Sequence, residues 1–285
     1  MTTRSSVARA ALLVGALWPA ALFAQHFRAL DVGRQLHDTA GVTVRVDYGA
    51  GKLALRAGTA PMLYQMSLRY DGDLTEPQHS FDVASRTLTV GTSKGSLRFS
   101  GSGDEERGSD LKLALGPSAP VDLALDLGAV DADLDLSRIP ITRLKLDARA
   151  AGARVRFDVP NPVPMQSLDV DVGAAGIRID QLANANARQV RVKASAGGAE
   201  LDLGGTWTND MDLAVEIVLG GMSIHVPSDV GVELTVDRII SSVKPQGLTR
   251  RGDVYVSDNW KSARHHVRIR ARAVLGSITV DQTAR

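Results

Sequence analysis

Three groups of residues are placed to do chemistry. Near the end of the chain Arg268, Arg270 and Arg272 alternate with Val267, Ile269 and Ala271, and Lys261 and Arg264 precede them. A period of two sets the three guanidinium groups on one face of a strand, a site for an anionic envelope component such as lipid head groups or a partner's acidic patch. The passive use of such a strand is edge protection, since basic side chains keep an exposed strand from pairing. Asp131, Asp133 and Asp135 imitate the opening of a calcium loop. The sixth position is Leu136 where glycine is needed, and the twelfth is Thr142 where glutamate is needed, so they read as the outward face of a strand. His265 and His266 are adjacent and on a strand point to opposite faces, and no cysteine is present to complete a zinc site. No metal and no cofactor is assigned.

The double glycine of "LGGMSIHVP" (Leu219 to Pro227) leads into an apolar-alternating run and a proline. A phosphate-binding loop needs Gly-Lys-Ser/Thr or a helix opening behind its glycines. No Gly-x-Ser-x-Gly elbow occurs either. The alternative functional class is a polysaccharide-active β-helical enzyme, a lyase or hydrolase. Such a site needs clustered carboxylates and aromatic platforms for sugar rings. Aromatic residues make up 4% of the chain, and beyond the first 24 residues its only tryptophans are Trp207 and Trp260. The expectation is a non-enzymatic protein with no catalytic residues.

The elements that would position these side chains are repeated. "LALDLGAVDADLDL" (Leu123 to Leu136), "LKLDARAAGARVRF" (Leu144 to Phe157), "LDVDVGAAGIRID" (Leu168 to Asp180), "VRVKASAGGAELDL" (Val190 to Leu203) and "LAVEIVLGGMSIHV" (Leu213 to Val226) share one grammar: an alternating run, a small-residue corner and a second alternating run. Their starts are 21, 24, 22 and 23 residues apart, and "VRIRARAVLGSITV" (Val267 to Val280) repeats the pattern. A period of about 22 residues with one corner fits stacked rungs of a β-solenoid. An antiparallel meander is the competing arrangement, but its hairpin tips favour Asn-Gly and Asp-Gly, whereas these corners are rich in alanine. Stacking in register predicts one outward row through Asp126, Asp147, Asp171, Lys193 and Glu216, and a second through Ala124, Lys145, Asp169 and Arg191. On the second run Asp133 would face Arg154 and Asp135 would face Arg156. Inward candidates include Leu144, Val170, Val190, Leu213 and Ile269, and the expected corner glycines are Gly128, Gly152, Gly176, Gly198 and Gly221.

Residues 1–24 read as a signal peptide: Arg4 and Arg9, an apolar run from Ala10 to Phe23, and Ala24 before Gln25. Residues 25–118 read as a non-repeating β region that caps the stack, with helical periodicity confined to "FRALDVGRQLHD", and 119–285 as the solenoid. The stretch from Pro245 to Arg264 would cap the far end. The chain therefore reads as all-β, exported and periplasmic, with no transmembrane segment after the signal. Lys and Arg number 33 against 32 Asp and Glu, a balance that argues against a nucleic-acid partner.

"GVTVRVDYGAGKLALRAGTAPMLYQMSLRYDG" followed by "FDVASRTLTVG" resembles the N-terminal toast-rack domain of bacterial envelope proteins. "GGMSIHVPSDVGVELTVDRIISSVKPQG" and "NWKSARHHVRIRARAVLGSITV" resemble the C-terminal domain of LiaF-like proteins, which respond to cell-wall-active antibiotics. The resemblance implies a solenoid-like envelope protein that binds or scaffolds, with a role in an envelope stress response. Signalling members of that group carry transmembrane helices, and this chain has none after its signal.

Overall fold

The computed structural model describes residues 27–73, 75–92, 109–238 and 242–283. The signal-peptide reading lies outside them, as does most of the charged stretch from Gly101 to Asp110. Strands dominate: β1 (Phe27–Gln35), β2 (Val42–Ala57), β3 (Met62–Asp71), β4 (Pro77–Asp82), β5 (Thr87–Thr92), β6 (Asp110–Leu115), β7 (Val121–Asp135), β8 (Ile141–Ala148), β9 (Gly152–Arg156), β10 (Ser167–Asp180), β11 (Gln189–Asp202), β12 (Met211–Pro227), β13 (Gly231–Arg238), β14 (Ser242–Gln246), β15 (Leu248–Arg251), β16 (Val254–Ser257) and β17 (His266–Thr283). One 3-10 turn spans Leu182–Ala185. No helix among the described residues is long and apolar enough to cross a membrane.

The long strands pair in parallel, one rung on the next, as the repeat predicts. Leu123 lies beside Leu144, Leu144 beside Leu168, Leu168 beside Val190, Val190 beside Leu213 and Leu213 beside Ile269. Each rung has two arms, which the burial pattern reveals. In β12 the buried set is Met211, Leu213, Val215 and Ile217, then Met222, Ile224 and Val226. The inward face changes from odd to even positions across Val218–Gly221, so the chain turns a corner there. The same change of parity separates Leu127 from Val130 in β7 and Ala273 from Ile278 in β17. Glycine is required where the turn presses one rung onto the next. Gly220 has φ +127°, and a Cβ there would stand 1.9 Å from the Gly197 carbonyl oxygen; at Gly128 it would stand 2.1 Å from that of Gly49. The other expected corner glycines are not so confined. A Cβ at Gly152 meets nothing within 4 Å, and the nearest atoms at Gly176, Gly198 and Gly221 are 4.0, 3.9 and 3.7 Å away.

Irregular chain closes the third side of the rungs. Leu136 and Ile139, Phe157 and Met165, Leu182 and Ala185, and Leu203 belong to the same apolar cluster as the strands, which runs from Val42 to Val280. Two buried asparagines bind these connections across rungs. The Asn161 side-chain amide donates to the Ile141 carbonyl at 2.7 Å, and that of Asn184 donates to the Phe157 carbonyl at 2.7 Å.

The stack starts earlier than the repeat suggests. β2 is itself a rung, paired in parallel with β7 on one side and with β5 and β6 on the other. Beyond it, β4 runs antiparallel to β5, and β3 and β1 run antiparallel outward from β6. β1 is a strand where the sequence hints at helix, because its whole length pairs with β3 and tertiary pairing overrides a weak local period. At the far end β13 and β14 form the last rung, and β16 and β15 add to it antiparallel. β17 does not follow β14 in space. It lies between β12 and β13, so the last strand in sequence is an inner rung.

Candidate functional surface

Inward positions are filled by apolar and aromatic side chains, so the charged groups lie in outward rows whose neighbours are fixed by register. The rows foreseen from the repeat are present: Asp126, Asp147, Asp171, Lys193 and Glu216 stand side by side, and Asp133 and Asp135 face Arg154 and Arg156. On the first arm Arg149 meets Asp126 at 2.9 Å and Arg191 meets Asp169 at 3.1 Å. On the second arm Arg56 reaches Asp133, Arg156 bridges Asp133 and Asp135 at 3.6 and 3.3 Å, and Arg178 joins Asp180 to Glu200 at 2.7 and 2.6 Å. Exposed pairs of this kind contribute a few tenths of a kcal/mol each. Two of the three aspartates that imitate a calcium loop are thus partners of arginines. Burial works to raise the Asp135 carboxyl, but the Ser137 hydroxyl, the Ser137 N–H and Arg156 outweigh it and hold it below the usual range.

Arg268, Arg270 and Arg272 all project from the outer face of β17. Because β17 is an inner rung, paired on both sides, edge protection cannot explain them. Their neighbours differ. Arg268 lies between Asp212 and Glu233 with its guanidinium 5.8 Å from the Trp260 ring centroid, and Arg272 lies between Glu216 and Asp237, 3.9 Å from the latter carboxylate. Arg270 lies between Ala214 and Thr235, the one member without an acidic neighbour in its row. Lys261 and Arg264 are exposed on the turn that precedes β17 and are not brought into this row. That turn is pinned: Asn259 donates to the Ser228 and Val230 carbonyls at 3.0 and 3.2 Å, and the His266 ring meets Trp260 edge-on at 4.6 Å.

The histidines serve other ends. His225 stands between Asp202 and Asp281 in an outward row, while His266 has Nε2 2.8 Å from the Trp260 carbonyl oxygen. At the N-terminal cap, Tyr64 and His79 share a 2.9 Å hydrogen bond beside Phe81, whose ring lies 4.4 Å from the Arg34 guanidinium. Burial pushes the Tyr64 phenol up and the His79 imidazolium down, which favours the neutral pair. This cluster has no sequence signal, because it depends on an antiparallel cap outside the repeat.

Two shallow concavities open on the outer faces. The larger, about 660 Å³, crosses β1, β3, β6 and β2, with Gly33, Ala54, Ser67 and Ala114 between Asp31, Arg56 and Lys112. The smaller, about 550 Å³, follows Gly176, Gly198 and Gly221 past Arg178, Glu200 and His225. Reasoning from charge missed one further feature. Leu219 and Leu275 stand outside the corners of β12 and β17, 56% and 52% exposed. Their signal is a leucine immediately before the corner glycine in two successive rungs of the stack.

Residues 27–161 match the family model of the N-terminal domain of toast_rack, DUF2154. No curated protein matches the chain. Among solved structures, a candidate cell adhesion protein of Clostridium sporogenes is similar at 15% identity and a TM-score of 0.46, covering 90% of this chain and all of that one (100%). A candidate adhesin of Bacteroides fragilis is similar at 11% identity and a TM-score of 0.44, covering 90% of this chain and 98% of that one. A candidate adhesin of Parabacteroides merdae has 11% identity and a TM-score of 0.35, with 90% and 96% covered.

Proposed function

We propose, from a chain whose residues 27–161 are a toast-rack N-terminal domain, that this is a non-enzymatic, exported protein of the bacterial envelope that works by binding with its outer faces. The observation that carries the reading is the filling of the rungs. Alternate side chains from Val42 to Val280 close on one another as a single apolar core, which leaves the charged rows and the open concavities as the surfaces where a partner can sit. Its place is the periplasm, in keeping with the signal peptide read at residues 1–24, and its context is an envelope stress response, a reading supported by the resemblance of the C-terminal half to LiaF-like proteins.

The binding face is the outer surface of β17, centred on Arg270. An arginine without an acid across the strand keeps its charge for a partner, whereas Arg272 already spends part of its field on Asp237. The test is a pull-down from envelope extract with the full-length chain, the Arg270→Glu variant and the triple variant R268E/R270E/R272E. A specific anionic partner retained by the wild type, weakened by R270E and lost by the triple variant supports the reading. Unchanged capture by the triple variant moves the binding face elsewhere. Absence of capture by any form reopens the polysaccharide-active enzyme, to be followed by turnover assays on envelope glycans.

A further inference from the structure

β4 is a terminal strand at the N-terminal end of the stack. It pairs with β5 over Pro77 to Asp82, and among the described residues no strand pairs with its other edge. Its inward face supplies the rest of its hold. Phe81 lies opposite Leu88 and His79 opposite Val90, which are 1% and 0% exposed, so the two rings cover the end of the apolar core. Tyr64 of β3, itself 3% exposed, meets both: its ring stacks on Phe81 with centroids 6.1 Å apart, and its hydroxyl is 2.9 Å from His79 Nε2. Among the described residues that phenol is the one hydrogen-bond partner of the imidazole.

These surroundings suit a neutral ring. A neutral imidazole carries one N–H and is matched by a single hydroxyl, whereas an imidazolium carries two and brings a charge. The described groups that face it offer no counter-charge. β3 contributes the phenol, β5 has no titratable residue, and β1 contributes the Arg34 guanidinium, 4.4 Å from the Phe81 ring centroid. On β4 itself Asp82 is exposed and bound to the Ser85 hydroxyl and the Ala84 N–H, and Glu76, also exposed, precedes the strand. Burial accordingly pushes the His79 imidazolium below the ordinary histidine range. A base that is harder to protonate in the closed cap than in an open one favours closure above that range. The contribution is lost as pH falls through the range towards the lower value of His79. We infer that His79 is an acid-sensitive latch, whose protonation beside Arg34 and away from any carboxylate releases β4 and bares the edge of β5. A bared edge is a row of N–H and C=O groups with which another extended segment can pair. The device goes beyond the envelope-binding reading, since it uses no residue of β17.

Amide exchange of the full-length chain at about pH 7.5 and about pH 5, on either side of the histidine range and corrected for intrinsic rates, tests the latch. In the wild type, protection of β4 and β5 should fall about threefold or more at the lower pH, while that of β7 and β10 holds. His79→Gln keeps a polar partner for the Tyr64 hydroxyl and takes up no proton, so its protection should not respond. Arg34→Gln leaves the imidazole in place and removes the neighbouring charge, so its response should be smaller than that of the wild type. Should His79→Gln lose protection of β4 already at the higher pH, Arg34→Gln carries the test alone. A response of wild-type size in either variant, a loss spread evenly over β7 and β10, or full protection of the wild type in acid overturns the latch.

Discussion

Gly220 and Gly221 are neighbours in sequence with opposite tolerances. At Gly220 the backbone has φ +127° and the next rung's carbonyl fills the space a side chain would need, so neither rotation nor a small shift makes room. At Gly221 the nearest atom to an added Cβ is the Ser277 hydroxyl at 3.7 Å, an ordinary contact. Gly220→Ala should therefore lower stability by about 3 kcal/mol or more, while Gly221→Ala should stay within about 0.5 kcal/mol, measured by urea unfolding of both variants beside the wild type. Equal losses would mean that the double glycine acts as a flexible joint and not as a steric requirement at one position. The same reasoning explains why the charged residues carry little folding energy. Arg156 and Asp135 meet because the register puts them in one row, and the register is held by the inward row of Leu134, Val155 and Ile179.

Strand and connection were not equally legible. The alternating runs, their parallel order, the register and the facing pairs of charges could all be read from the sequence, because a period of two and a repeat of about 22 residues are imposed by pleat and stacking alone. The third side could not. "QLANANARQ" (Gln181 to Gln189) has no alternation, yet Asn184 is 3% exposed and holds three connections together. Its amide donates to the Phe157 carbonyl at 2.7 Å, its oxygen accepts from Thr206 N–H at 2.7 Å, and Gly205, at φ +106°, makes room for it. Asparagine was legible as a polar residue and illegible as a staple, since its partners lie one rung away on either side. Asn184→Ala leaves a buried carbonyl and a partly buried N–H without partners, and a loss of about 2–4 kcal/mol is expected in thermal unfolding. Asn186→Gly, which keeps the left-handed φ of +55° at the half-buried end of the same turn and removes only the bonds accepted from Thr208 and Asn209, should cost less than about 1 kcal/mol. The candidate binding face was half legible. Alternation showed the three arginines on one side, but their acidic neighbours come from β12 and β13, and β13 enters the row only because β17 is inserted beside it.

That insertion governs how the whole molecule holds together. In a solenoid built in sequence order each rung touches only its neighbours, so removing the last strand removes one outer rung and leaves the rest intact. Here β17 pairs with β12 over Met211 to Pro227 and with β13 and β14 on its other side. Val267, Ile269, Ala271, Ala273, Ile278 and Val280 fill the layer between two rungs that otherwise do not touch through regular pairing. A chain ended after His265 would expose the inner edges of β12, β13 and β14 together, and β15 and β16, which hang on β13 alone, would lose their anchor. The expected outcome is loss of amide-exchange protection throughout β13–β16 and partial loss in β12, with protection in β2, β7 and β10 retained. Protection confined to its wild-type level in β13 after the same truncation would show that the terminal rung stands by itself, and β17 would then be a late addition to a stack that needs no closing strand.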